Sequence, residues 1–197
     1  MQIGLPPSTQ VRVHKDQPEI PGYEFKKRLG KGGMGVVWLV KDLRASRLVA
    51  LKQTISDELS DSDRTRFRIE AQAMAKLEHP NIVHVFDVNE FEGRPYFTMD
   101  YCPGGSLNEY LDRKPQPARI CAEILEKLAL GVQHAHENGI IHRDLKPANV
   151  LIVNAEFGLR NTESKSSSEE AKPPVFSANP NSAIRNPQLK ITDCGLA

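Results

Sequence analysis

The tightest constraint on the fold of this chain is a run of glycines set between two stretches of β-favouring residues. Tyr23, Phe25 and Leu29 lie among Lys26, Lys27 and Arg28; Gly30-Lys31-Gly32-Gly33-Met34-Gly35 follows, and then Val36-Val37-Trp38-Leu39-Val40. Two strand-like runs around such punctuation predict a hairpin with a glycine-rich tip. The spacing is G-x-G-x-x-G-x-V. Glycine lets backbone amides approach a phosphate closely, because no Cβ intervenes. The same residues also suit a plain hairpin tip. A dinucleotide-binding turn is a third reading, but it needs a helix directly after the glycines, and Val36 to Val40 is strand-like.

Further along, Leu48-Val49-Ala50-Leu51-Lys52 predicts a third short strand. Ser60-Asp61-Ser62-Asp63 supplies N-cap candidates, and Phe67, Ala71, Met74 and Leu77 fall on one face of a helix that His79-Pro80-Asn81 ends. Ile82 to Val88 and Pro95 to Tyr101 predict two more strands. Pro103-Gly104-Gly105 is a loop joining this small sheet to a helical part. There Ser106 caps a short helix through Leu111, and Ala118 to His136 forms a longer one with Cys121, Leu125, Leu128, Val132 and Ala135 on one stripe.

Composition sets the outer bounds. A length of 197 residues allows one domain or a little more, and 39% hydrophobic with 26% charged residues is ordinary for a globular protein. A net charge of +1 gives no reason to expect nucleic acid as a partner. No apolar run approaches the roughly 18 residues of a membrane span, and the first ten residues carry no secretory pattern. Cys102, Cys121 and Cys194 are odd in number and widely spaced, which suits reduced thiols in the cytoplasm. Metal ligation by them with His134, His136 or His142 lacks the usual ligand spacing. Residues 1–20 hold Pro6, Pro7 and Pro18 and read as a flexible lead-in. Residues 154–186 carry six serines, three prolines and four residues of each charge, without periodicity. The stretch 154–188 reads as a low-complexity insert, either an inert surface expansion or a set of phosphorylation sites. Residues 189–197 restore a short strand, Leu189 to Thr192, and end on Asp193-Cys194-Gly195.

Four features carry chemistry. Lys52 can place a positive charge on nucleotide phosphates from the end of its strand, or simply face solvent. Glu70, 18 residues on, borders the packed face of the predicted helix, so its carboxylate needs a cation, and Lys52 is the obvious one. In His142-Arg143-Asp144-Leu145-Lys146-Pro147-Ala148-Asn149, Asp144 suits accepting or orienting a hydroxyl proton. Lys146 can neutralise charge on a transferring phosphoryl group, and Asn149 offers a neutral oxygen to magnesium. Asp193 offers a carboxylate to the same metal. A solvated loop explains the polarity of this cluster but not the order of its residue types.

Taken together, Gly30 to Val37, Val49 to Lys52, Glu70, His142 to Asn149 and Asp193-Cys194-Gly195 resemble, in order, the signature set of eukaryotic-like (Hanks-type) protein kinases. Lys146-Pro147 resembles the serine/threonine branch, and the glycine loop is similar to that of bacterial members. The resemblance implies an α+β, two-lobe fold. The N-lobe, 21–101, would be complete, with a five-stranded antiparallel sheet and one helix. Residues 102–153 would supply only the first part of the helical C-lobe, with the catalytic loop. It further implies ATP and Mg2+ as cofactors and a protein substrate with a serine or threonine acceptor. Leu29, Gly30, Lys31, Gly32, Gly33, Met34, Gly35 and Val37 would cover the nucleotide. Lys52, held by Glu70, would hold the α- and β-phosphates. Asp100 to Cys102 would read adenine through backbone bonds beside Met99, with Val37, Ala50 and Leu151 sandwiching the ring. Asp144 would be the catalytic base, assisted by Lys146, with Asn149 and Asp193 on the metal. The assignment requires the Lys52 ammonium to lie near the Asp193 carboxylate.

Three departures temper this. Cys194 stands where the family has phenylalanine, packed in the family arrangement against Met74 and His142; the loss of apolar area weakens active packing by about 1–2 kcal/mol. Cys194→Phe is therefore expected to raise activity or thermal stability. The insert exceeds the usual short turn, at a cost that grows only logarithmically with length. Finally, the sequence stops at Ala197, ahead of any activation segment, which reads as a truncated kinase that binds ATP weakly and transfers phosphate poorly or not at all. Exposure of Cys121, Leu125, Leu128 and Val132 would follow. The alternative function is a pseudokinase-like ATP-binding or regulatory module.

Overall fold

The computed structural model describes residues 18–32, 35–54, 60–153 and 188–193. The lead-in to residue 17, the glycine-loop tip Gly33-Met34, the insert at 154–187 and Cys194 lie outside the described residues, and with them the expectations placed there. Five strands, β1 (Tyr23–Gly32), β2 (Gly35–Asp42), β3 (Arg47–Gln53), β4 (Val85–Phe91) and β5 (Arg94–Met99), form one sheet in the order β1-β2-β3-β5-β4. Every neighbouring pair is antiparallel. The glycines do not interrupt the first strand as expected: β1 runs through Gly32, and Gly30 pairs with Val37 across the hairpin. Ladder bonds to β2 carry the backbone through residues of poor strand propensity.

Side chains alternate across this sheet with the period of a pleated strand. Val49, Leu51 and Tyr96 join Trp38 and Val40 on the outer face, while Ala50, Phe97 and Met99 join the main core. The helix α1 (Asp61–Met74) lies on that inner face, with Phe67, Ala71 and Met74 buried. Its N-cap is Ser60, whose hydroxyl accepts the Asp63 N–H at 3.2 Å. The helix stops at Met74, earlier than the apolar spacing suggests. Leu77 still reaches the core from the turn that follows.

A second layer follows the loop at Pro103. The helix α2 (Leu107–Leu111) opens on a reciprocal capping box between Ser106 and Glu109. The helix α3 (Ala118–Glu137) runs beneath a two-stranded antiparallel ladder of β6 (Val150–Ile152) and β7 (Leu189–Ile191). The buried stripe of α3 is Ile124, Gly131 and Ala135, with Leu128 and Val132 half-buried. Cys121 and Leu125, on the stripe read from the periodicity, are exposed as expected, Leu125 at 65%. The reason is close approach at Gly131: a Cβ there would lie 3.0 Å from Ile191 and 3.2 Å from the Asn81 carbonyl, so the helix turns its glycine side to β7. Ile191 N–H donates to Asn81 O at 2.8 Å and Val83 N–H to Ile191 O at 2.9 Å, which joins β7 to the chain entering β4. Among the described residues no helix is long and apolar enough to cross a membrane.

Candidate active site

Lys52 points from β3 to the inner face, as Ala50 does, by simple alternation. Its ammonium donates to Glu70 Oε1 at 3.2 Å and to Asp193 Oδ1 at 2.6 Å. The three residues come from a strand, a helix and the turn after β7. The environments of the two carboxylates differ: the Glu70 side chain is 8% exposed and that of Asp193 is 41%. The Glu70 bond is therefore internal, and Asp193 is open to a ligand. Burial pulls the Lys52 pKa down, but the Asp193 and Glu70 charges outweigh it and leave the pKa raised. One ammonium between two carboxylates is a cluster of net charge −1, so a cation is electrostatically favoured on its open side.

The stretch 142–149 sits beside this cluster. His142 is buried, its Nε2 3.0 Å from Thr192 O, while Thr192 N–H donates to Asn149 O at 2.9 Å. These contacts clamp both ends of the loop to the residue preceding Asp193. Lys146 Nζ donates to Asp144 Oδ2 at 2.7 Å, and Asn149 Nδ2 donates to the same oxygen at 3.1 Å and to Asp144 O at 2.9 Å. The Lys146 hydrogen bond holds the Asp144 carboxyl below its ordinary value, so it is ionised at neutral pH. Arg143 and Asp193 adopt left-handed backbone, with φ of 60° and 55°. Non-glycine residues seldom do so, and such strain concentrates at functional sites.

The apolar members lie on the sheet and on β6. Ala50 and Met99 are buried in the main core, and Val37 and Leu151 pack against it. Ala50 faces Met99 across the ladder, and Val37 faces Lys52. Leu29 and Lys31 are exposed on β1. Cys102 is buried, and burial pushes its thiol up to about 12, with the Asp100 charge adding to the effect. The Asp100 side chain faces away from any nucleotide role: its carboxylate accepts from Lys190 Nζ at 2.6 Å and His84 N–H at 3.0 Å. Sequence reasoning missed Lys190, which read only as part of a short strand.

The three signature glycines separate into two kinds. A Cβ on Gly35 would lie 2.6 Å from the Gln53 carbonyl oxygen, so Gly35 is required by close approach of β3. A Cβ on Gly30 or Gly32 would meet nothing within 4 Å. At those two positions the backbone leaves room for an approaching group. Among the described residues no group of three or more His, Cys, Asp or Glu side chains could hold a metal. The hard-oxygen pair of Asp193 and Asn149 fits magnesium, which takes one or two protein ligands and fills its remaining positions with water and phosphate. The bonds from Asn149 to Asp144 use its amide nitrogen and leave the amide oxygen uncommitted to them.

The sequence profile of the protein kinase domain matches residues 23–197. The chain is 39% identical over 132 residues to the serine/threonine-protein kinase PrkC of Bacillus subtilis, covering 66% of this chain and 20% of that protein. It is 40% identical over 154 residues to the probable serine/threonine-protein kinase PknB of Lactococcus lactis, covering 74% and 25%. It is 41% identical over 139 residues to the serine/threonine-protein kinase PknF of Mycobacterium tuberculosis, covering 68% and 29%. The matched region thus spans less than a third of these relatives. The crystal structure of a variant of the Mycobacterium tuberculosis PknI kinase domain superposes with a TM-score of 0.63 at 26% identity, over 94% of this chain and 64% of that one.

Proposed function

The chain belongs to the protein kinase domain family, and from that premise we propose that it binds magnesium ATP and transfers the γ-phosphate to serine or threonine hydroxyls of proteins. The observation that carries this reading is Lys52 held between Glu70 and Asp193. Adenine lies between Val37, Ala50 and Leu151, beside Met99, and bonds to the backbone of Asp100 to Cys102. Leu29 to Val37 cover the phosphates. Lys52 orients the α- and β-phosphates, and Glu70 holds Lys52 in place. Asp193 and Asn149 hold magnesium, which supplies charge neutralisation on the phosphates when bound. Asp144, already ionised, orients the acceptor hydroxyl and takes its proton. Lys146 balances charge on the transferring group. The free thiols of Cys102 and Cys121 support a reducing, cytoplasmic setting.

A second reading, an ATP-binding regulatory module with little transfer, is favoured by the open apolar side chains of Leu125, Leu130, Ile141 and Leu145, which suit a docked partner. Radiolabel transfer to an acceptor protein, run beside nucleotide binding, separates the readings. Magnesium-dependent transfer that Asp144→Asn abolishes, with nucleotide affinity kept, supports the kinase. Binding without transfer selects the module, and absence of binding overturns both.

A further inference from the structure

Lys190 sits between Leu189 and Ile191, which are 0% and 1% exposed and face the core together. Its own side chain leaves from the opposite face of β7 and reaches across to the residue that follows β5. There its ammonium lies 2.6 Å from Asp100 Oδ2 and 3.4 Å from Ile82 O. The same carboxylate oxygen accepts the His84 N–H, and the Asp100 N–H donates to His84 O at 3.0 Å. The two side chains are only 20% and 25% exposed, so this pair is better shielded than an ordinary surface ion pair.

The position of the pair gives it a use. Backbone bonds tie β7 to residues 81–83, and separately tie His84 to Asp100. The Lys190 side chain spans the two directly. On one side it grips Asp100, which opens the segment assigned above to adenine. On the other it belongs to the strand that delivers Asp193 three residues later. The Asp100 carboxylate is drawn away at the same time, leaving the backbone of Tyr101 and Cys102 to serve the base.

We propose that Lys190 is a positioning residue: its ion pair with Asp100 locks the adenine-binding segment to the strand carrying Asp193, so that both ends of the nucleotide site move as one body. This rests on the reading of residues 100–102 as the adenine segment, but the lock itself is a property of the free chain.

Amide hydrogen exchange on the 197-residue chain without nucleotide tests the lock. Lys190→Met is expected to speed exchange about tenfold in both 100–102 and 191–193, leaving the outer strands β1 and β2 unchanged, the loss of one charge-assisted bond. Lys190→Arg is expected to retain protection. Asp100→Asn, which keeps the size of the side chain, is expected to loosen the same two segments and serves if Lys190→Met does not fold. Unchanged exchange in either segment, or a uniform rise throughout the chain, overturns the proposal. Affinity for magnesium ADP, measured in parallel, is expected to fall about tenfold in Lys190→Met. Coupled exchange in a chain that binds no nucleotide leaves the lock standing and removes the kinase reading. Wild-type binding that Lys190→Met leaves unaltered removes the positioning role.

Discussion

The Lys52 ammonium lies 2.6 Å from Asp193 Oδ1, although the two residues are 141 positions apart in sequence. This contact and the 3.2 Å bond to Glu70 define the polar centre of the molecule. It joins the sheet, α1 and the end of β7 through one side chain. The arrangement is asymmetric: a dry carboxylate anchors the lysine, and a wet one is available for exchange.

Replacing that lysine leaves Glu70 buried without its counter-ion. Lys52→Met is expected to cost about 3 kcal/mol in urea unfolding, and Lys52→Met with Glu70→Gln is expected to recover part of it. Because the Lys52 pKa is raised on folding, its contribution is fully present below the ordinary value of 10.5 and is lost as pH climbs through the higher folded value. The stability gap between wild type and Lys52→Met should therefore stay level from neutral pH to about 10 and close above it. A gap that closes on the way from pH 7 to 9 contradicts this placement.

Glycine substitutions should divide as the geometry does. Gly35→Ala drives a Cβ to 2.6 Å from the Gln53 carbonyl and is expected to cost about 1–3 kcal/mol in thermal unfolding. Gly30→Ala meets open space and is expected to stay within about 0.5 kcal/mol, while weakening nucleotide binding. Equal losses of stability at both positions would contradict the assignment of Gly35 to strand approach.

Thiol reactivity offers a check that needs no ligand. Cys102 is buried with its pKa pushed up to about 12, whereas Cys121 is exposed. Iodoacetamide at pH 8 followed by peptide mass mapping should label Cys121 well before Cys102. Since the thiolate is the nucleophile, rapid labelling of Cys102 would mean that the segment opens in solution.

Removal of magnesium should act through Asp193. Chelation with EDTA is expected to weaken ATP binding by about tenfold or more, near 1.4 kcal/mol. Asp193→Asn is expected to remove the magnesium dependence. A full magnesium effect in Asp193→Asn would place the ion elsewhere.

Local pattern made much of the upper lobe legible. Alternation sets the faces of β2, β3 and β5, and the Ser60–Asp63 run of N-cap candidates marks the start of α1. The pairing of Lys52 with Glu70 also follows from pattern, since a carboxylate bordering a packed helix face needs a cation. Other features depend on contacts that pattern does not encode. The periodicity of α3 places Cys121 and Leu125 on one stripe, where they are exposed as expected, but it does not encode the approach to β7 that Gly131 permits.

The sequence by itself determined the order of strands and helices in the sheet-bearing part, though not their exact ends, and the residue types available for phosphate and metal, because these depend on neighbours a few positions away. The tertiary structure alone decided which glycine is structural, which way α3 faces, and that Lys190 rather than a ligand claims the Asp100 carboxylate. Those outcomes are distances between residues far apart in the chain, and only the packed fold fixes such distances.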